Sequence, residues 1–154
     1  MTTEQRFSLF RDALTTHGLA GALGILNKNV PHRYTAAYRL SESMLQNQAL
    51  FDKQGEIRPD FLATVPLEMS FCQFVFRDGV FATTDSASDR RLDGHPYQGV
   101  MVSYTGVPIT DGAAGGKIIG SLCHFDLVQH AIDDDEFALL QRASRVITAN
   151  MLRG

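Results

Sequence analysis

Chemistry-bearing side chains concentrate in two stretches of this sequence. The first runs Asp85-Ser86-Ala87-Ser88-Asp89-Arg90-Arg91-Leu92-Asp93-Gly94-His95-Pro96-Tyr97-Gln98-Gly99, dense in titratable groups and without apolar periodicity. A connection this long inside a compact chain acts as a lid or binding loop unless it hides a helix, and Ser86 or Ser88 would open one carrying Arg90 and Arg91. Asp85, Asp89, Arg90, His95 and Tyr97 are its candidate ligand contacts: Arg90 or Arg91 for an anionic group, His95 and Tyr97 for hydrogen bonds. The competing reading is a solvated loop with weak local Asp–Arg pairs.

The second stretch is Ser103–Asp126, SYTGVPITDGAAGGKIIGSLCHFD, where two β-forming runs, Met101–Ile109 and Lys117–Phe125, flank a glycine-rich turn. Pairing Ile109 with Lys117 would set Thr105 opposite Ser121 and Ser103 opposite Cys123. One face would then carry only the small polar side chains Ser103, Thr105, Ser121 and Cys123, a set that lines a cavity more readily than it fills one. Phe74 and Phe81 would supply an apolar wall to such a cavity.

Other constellations are weaker. His124 and Asp126 share a strand face, but His130 lies beyond the strand and no spacing fixes a further ligand, so no metal site is assigned. Cys123 and His124 are neighbours on a strand and point to opposite faces, which argues against a nucleophile–base pair, and no catalytic residue is assigned. Cys72 would stand in the first turn of a short helix, Phe71–Arg77, capped by Ser70. A thiol there can be activated, but its apolar company (Met69, Phe71, Phe74, Val75, Phe76) favours a buried structural cysteine. GAAGG lacks the Lys-Ser/Thr of a phosphate-binding loop.

The elements that must position these groups follow from periodicity. Phe7, Phe10 and Leu14 mark an amphipathic helix from Thr3 to about Thr16, capped by Thr2 or Thr3; His17-Gly18 breaks it, and Leu19, Ala22, Leu23 and Leu26 continue to about Lys28. Tyr34–Leu40 and Gln48–Phe51 read as strands joined by the polar SESMLQN segment, and Pro59-Asp60 opens a helical turn. Val80–Thr84 is a short strand after the Asp78-Gly79 turn. Asp133 or Asp134 begins a last helix to about residue 152, with Phe137, Leu140, Ala143, Ile147 and Met151 along one face and Arg142, Arg145 and Arg153 toward its end. The order argues for a single α+β domain, residues 1–154, on an antiparallel sheet.

Composition narrows the function classes. With 14 Lys and Arg against 17 Asp and Glu, the net charge is −3, and no basic stripe exists to neutralise nucleic-acid phosphates. No apolar run is long enough to cross a bilayer, so no membrane partner is expected. The two cysteines, far apart and outside any C-x-x-C pair, fit a reducing, cytoplasmic setting with both thiols free.

PLEMSFC, the D-x-x-x-D-R-R segment, HPY, SYTGVPI, IIGSLCHFD and the final amphipathic helix together resemble a GAF domain over nearly the whole chain, most specifically Ser70–Asp126. The resemblance implies a GAF/PAS-like fold: a central antiparallel sheet with N- and C-terminal helices on one face and a pocket covered by a loop and short helix on the other. It implies a small-molecule sensor acting on a signalling partner or as a homodimer through its terminal helices, with the ligand or cofactor unknown. The cyclic-nucleotide signature of some members is missing, and the bilin-attaching cysteine pattern is not convincing. Two alternatives stay open. One is a free methionine-(R)-sulfoxide reductase-type enzyme using a cysteine, although the cysteine motifs of those enzymes are not found here. The other is a ligand-free interaction domain.

Overall fold

The computed structural model describes residues 1–111 and 116–152. The hairpin turn 112–115 and Arg153, expected in the last helix, lie outside the described residues. Helix α1, Thr3–Asn27, starts with a reciprocal cap: the Thr2 hydroxyl accepts from Gln5 N–H, and the Gln5 side chain accepts from Thr2 N–H. The break expected at His17-Gly18 is a kink within this helix, where Gly18 takes φ 76°, a conformation that favours glycine.

Six strands follow in one antiparallel sheet: β1 Tyr34–Ser41, β2 Met44–Asp52, β3 Thr64–Pro66, β4 Phe81–Thr83, β5 Ser103–Thr110 and β6 Ile118–Asp126, in the spatial order β3-β2-β1-β6-β5-β4. Helix α2, Cys72–Asp78, ends at Gly79 in the left-handed region. Helix α3, Asp134–Val146, is capped by Asp133, and α4, Thr148–Leu152, completes the described chain. The last helix is therefore not continuous: Thr148 donates its hydroxyl to Thr110 O at 2.8 Å, tying the start of α4 to the end of β5.

Two other expectations are corrected. SESMLQN is not a loop, because β1 and β2 turn tightly at Glu42-Ser43 and Met44–Asn47 already lies in β2, with Leu45 buried. The pattern hid this because the polar positions Gln46, Asn47 and Gln48 interrupt the apolar run. The hairpin register is also different. Val107 faces Leu122 instead of Ile119, Gly106 faces Cys123, Thr105 faces His124 and Ser103 faces Asp126, with an irregularity between Ile109 and Thr110. An odd slip exchanges faces, so Ser103 and Thr105 leave Ser121 and Cys123 and turn to the other side of the sheet.

The sheet separates two cores. On one face α1, α3 and α4 pack Phe10, Leu23, Leu26, Leu140 and Ile147 against Val107 and Leu122. There Arg6 forms a buried ion pair with Glu136, linking α1 to α3. On the other face Tyr34, Tyr38, Tyr104, Cys123 and Phe125 meet α2 and the segment between β2 and β4. No described helix is long and apolar enough to cross a membrane.

A polar knot sits at the end of the helix face. Asn27 donates to His32 O at 3.0 Å and to the Thr35 hydroxyl at 2.8 Å. The Thr35 hydroxyl, accepting from Asn27, also shares a hydrogen bond with Nδ1 of His124 at 2.6 Å. The His32 ring stands 6.0 Å from His124 and 5.4 Å from His130, and neither nitrogen of His32 has a partner among the described residues. His130 Nε2 lies 3.2 Å from Asp126. No described set of three His, Cys, Asp or Glu converges as metal ligands would.

Candidate ligand pocket

The pocket forms where bulky side chains leave the sheet on the α2 side. Tyr38 from β1, Tyr104 from β5, and Cys123 and Phe125 from β6 make its floor. Its cover is the segment holding Phe61, Leu62, Val65, Met69 and Phe71, with Tyr97 and Met101 at the rim. Two contacts fasten the cover. The Tyr38 hydroxyl donates to Leu62 O at 2.8 Å, and Phe61 stacks on Tyr97 with ring centroids 6.2 Å apart. Phe61 is nevertheless 51% exposed, the position of a side chain at a mouth. The space between floor and cover is about 40 Å³, room for only two or three waters. A metabolite enters only by lifting the cover.

The hydroxyl and thiol groups of the floor converge on one atom. Cys72 Sγ, from the first residue of α2, lies 3.0 Å from Ser121 Oγ and 3.3 Å from Tyr104 Oη. Tyr104 reaches it by lying across Gly106, where a Cβ would come within 2.5 Å of its hydroxyl. Cys123 stands two residues from Ser121 on the same face, beside Gly106, and donates to Ala36 O at 3.7 Å. The neighbouring Cys123 thiol, with help from the Ser121 and Tyr104 hydroxyls, holds the Cys72 thiol below the ordinary range against the opposing effect of burial. The interaction with Cys72, together with burial, pushes the Cys123 thiol well up. Burial likewise raises Tyr38 and Tyr104, which stay neutral hydroxyls.

The candidate residues read from sequence are distributed as follows. Tyr97 and Cys123 line the cavity, and Ser121 sits directly behind Cys72. Phe74 and Phe81, 4.9 Å apart, form a second row behind Phe71, and His95 packs edge-on against Phe71 at 4.8 Å while its Nε2 faces Ser70 O at 3.2 Å. The charged loop residues do not face the cavity. Asp85 and Asp89 cap the short turns Ser86–Ser88 and Arg90–Leu92, because their carboxylates accept the N–H groups two residues on. Asp89 also pairs with Arg91, whose hydrogen bond holds the carboxyl down to about 2. Arg90 is exposed, and Arg91 lies over the Phe81 ring and donates to Ala82 O at 2.7 Å. Ser103 donates to Val128 O at 2.8 Å, and Thr105 borders an open groove with Thr84 and Ile132, both consequences of the register slip. Ser70 does not cap α2; its hydroxyl donates to Leu67 O at 2.7 Å.

Sequence reasoning missed most of the cover (Phe61, Leu62, Val65) and the aromatic floor (Tyr38, Tyr104, Phe125). The alternation Tyr34, Ala36, Tyr38 held a signal for the floor, since alternate strand residues share a face.

A six-stranded antiparallel sheet with terminal helices on one face and a covered pocket on the other is the GAF fold. Solved structures agree. The GAF domain of an Acinetobacter phosphoenolpyruvate-protein phosphotransferase superposes with TM-score 0.75 at 11% identity, over 97% of this chain and 92% of its own. A phycocyanobilin-bound GAF domain from a cyanobacterial phytochrome gives 0.70 at 12% identity, over 99% and 97%. The free methionine-R-sulfoxide reductase of Staphylococcus aureus in complex with substrate gives 0.65 at 20% identity, over 97% and 92%. No family model and no curated protein sequence matches the chain.

Proposed function

We propose that this chain is a sensory GAF module that binds a small, uncharged and largely apolar molecule between the cover and the Tyr38–Cys123 floor. The observation that carries this reading is the character of the cavity wall: aromatic, aliphatic and sulfur side chains with a few hydroxyls, and no Lys, Arg, Asp or Glu among the described residues that line it. An ionic ligand would lose its hydration there without a counter-charge, at a cost a neutral ligand does not bear. The small volume makes opening of the cover part of binding, and that movement is the signal. It passes to a separate partner or through a homodimer of the outer faces of the terminal helices, whose apolar stripes are already covered by the sheet.

A thermal-shift panel tests the proposal, with uncharged aromatics such as indole and benzaldehyde against zwitterions such as methionine sulfoxide. A binder at a hundredfold its dissociation constant stabilises by about 2.7 kcal/mol, roughly 5–10 °C for a chain of this size. Shifts from the neutral arm, lost in Tyr97→Ala, are expected. No shift from any member, with the cavity still filled by its own side chains, would favour the ligand-free interaction domain. A shift from methionine sulfoxide alone would favour the reductase reading, which rests on the fold shared with those enzymes and on two thiols in the cavity wall.

A further inference from the structure

Two sulfur atoms face one cavity, and the groups around them treat the two differently. Cys72 Sγ lies between the hydroxyls of Ser121 and Tyr104 at 3.0 and 3.3 Å and lines the same cavity as Cys123. Ser121 and Cys123 are alternate residues on one strand face, and Tyr104 lies over Gly106, the cross-strand partner of Cys123. A sulfur bonded to both flanking hydroxyls therefore sits over Cys123. Both hydroxyls beside Cys72 are able to donate to a thiolate, whereas the Cys123 thiol points its hydrogen at Ala36 O, so Cys72 is placed as the nucleophile and Cys123 as the thiol that follows. Both are nearly fully buried, which keeps out bulky disulfides. The cavity they line admits a molecule of two heavy atoms.

We propose that Cys72 and Cys123 are an oxidation site for hydrogen peroxide or a small hydroperoxide, closing to an intramolecular disulfide. In the first step the Cys72 thiolate forms an S–O bond as the O–O bond breaks; the departing oxygen takes a proton and leaves as water or alcohol. In the second step the Cys123 sulfur attacks the sulfenic sulfur of Cys72, the S–S bond forms, the S–O bond breaks and hydroxide leaves with the Cys123 proton as water. Two thiols lose two electrons, and the peroxide takes up both. Because a disulfide requires the sulfurs at about 2.05 Å, α2 must draw onto β6, so the oxidised pair reports through the same cover that closes the pocket. The inference needs no ligand and stands apart from the binding proposal.

The test treats the full chain with graded hydrogen peroxide at pH 7, followed by non-reducing digestion and mass spectrometry. The expected product is a Cys72–Cys123 cross-linked peptide from monomeric protein, reversed by dithiothreitol. Cys123→Ser should stop at a Cys72 sulfenic acid, trapped when the treated protein is unfolded in the presence of dimedone, and Cys72→Ser should leave Cys123 unreacted. Ser121→Ala, checked by circular dichroism for native folding, should slow cross-linking about 3- to 10-fold through its lost donor. Met101 at the cavity rim reports whether peroxide has arrived. The inference is overturned if Met101 becomes its sulfoxide while both thiols remain free, if bridges form only between molecules, or if dimedone marks Cys123 instead of Cys72. Should a variant fail to fold, the cross-link map of the unmodified chain decides alone.

Discussion

Lowering the pH from 7 to 5 should remove a large part of the stability of this protein, through two histidines on the sheet face opposite the pocket. His32 and His124 are fully buried beside each other. Burial, and then the neighbouring His130, brings His32 down to about 4, while burial and then His32 bring His124 down to about 3. The unfolded chain protonates both near the ordinary value of about 6.5, and the folded chain refuses those protons. The penalty is therefore absent well above pH 6.5, grows as the pH falls through that value, and is complete only below the folded-state values. At pH 5 it is about 2 kcal/mol for each ring, on the order of 4 kcal/mol together, against a typical total of 5–15 kcal/mol. Of the charged groups around the rings, Lys53 disfavours protonation of both and Arg6 that of His124, while Asp126 favours protonation of His32 without outweighing burial. Carboxylates held low by partners, such as Asp89 and Asp52, add their losses only below about pH 4. His95, also lowered by burial, adds to the slope at the pocket, so His32→Phe is the control. Urea unfolding at half-unit steps from pH 7.5 to 4.5 should show His32→Phe losing roughly 2 kcal/mol less than the parent. Equal losses in the two proteins, or a flat profile in the parent, would refute the assignment.

Two packing predictions follow from the sheet and its helices. Gly106→Ala places a methyl 2.5 Å from the Tyr104 hydroxyl, so the ring must leave Cys72; unfolding should show a loss of about 1–3 kcal/mol, and wild-type stability would contradict the close approach. The Arg6–Glu136 pair is 7% and 8% exposed, so Glu136→Gln alone should cost about 3–5 kcal/mol by stranding a buried cation, while Arg6→Met with Glu136→Leu should recover most of it. A double variant no better than the single one would show that the pair contributes beyond its own burial.

The sequence by itself determined the terminal helices and most of the strands, though not β3 or the start of β2, because those signals are local. Thr2 ahead of Gln5, Gly18 at the kink and the Phe7–Phe10 spacing are read within a few residues. So are the Asp133 cap and the α+β order with helices on one face, the fold expected from the GAF-like motifs. Cys72 was read as buried from its apolar company, and it is buried; Cys123 was read as a cavity-lining residue, and it lines the cavity. Only the tertiary structure decided which residues share the pocket. Strand register is set by where bulky side chains find room across the sheet, and the pairing of Tyr104 with Phe125 over Gly106 outweighs the grouping of small polar residues that a turn-based count prefers. One odd slip sent Ser103 and Thr105 to the helix side and kept Cys123 beside Cys72, and the aspartates of the charged loop became caps because the N–H groups two residues on are nearer than any ligand.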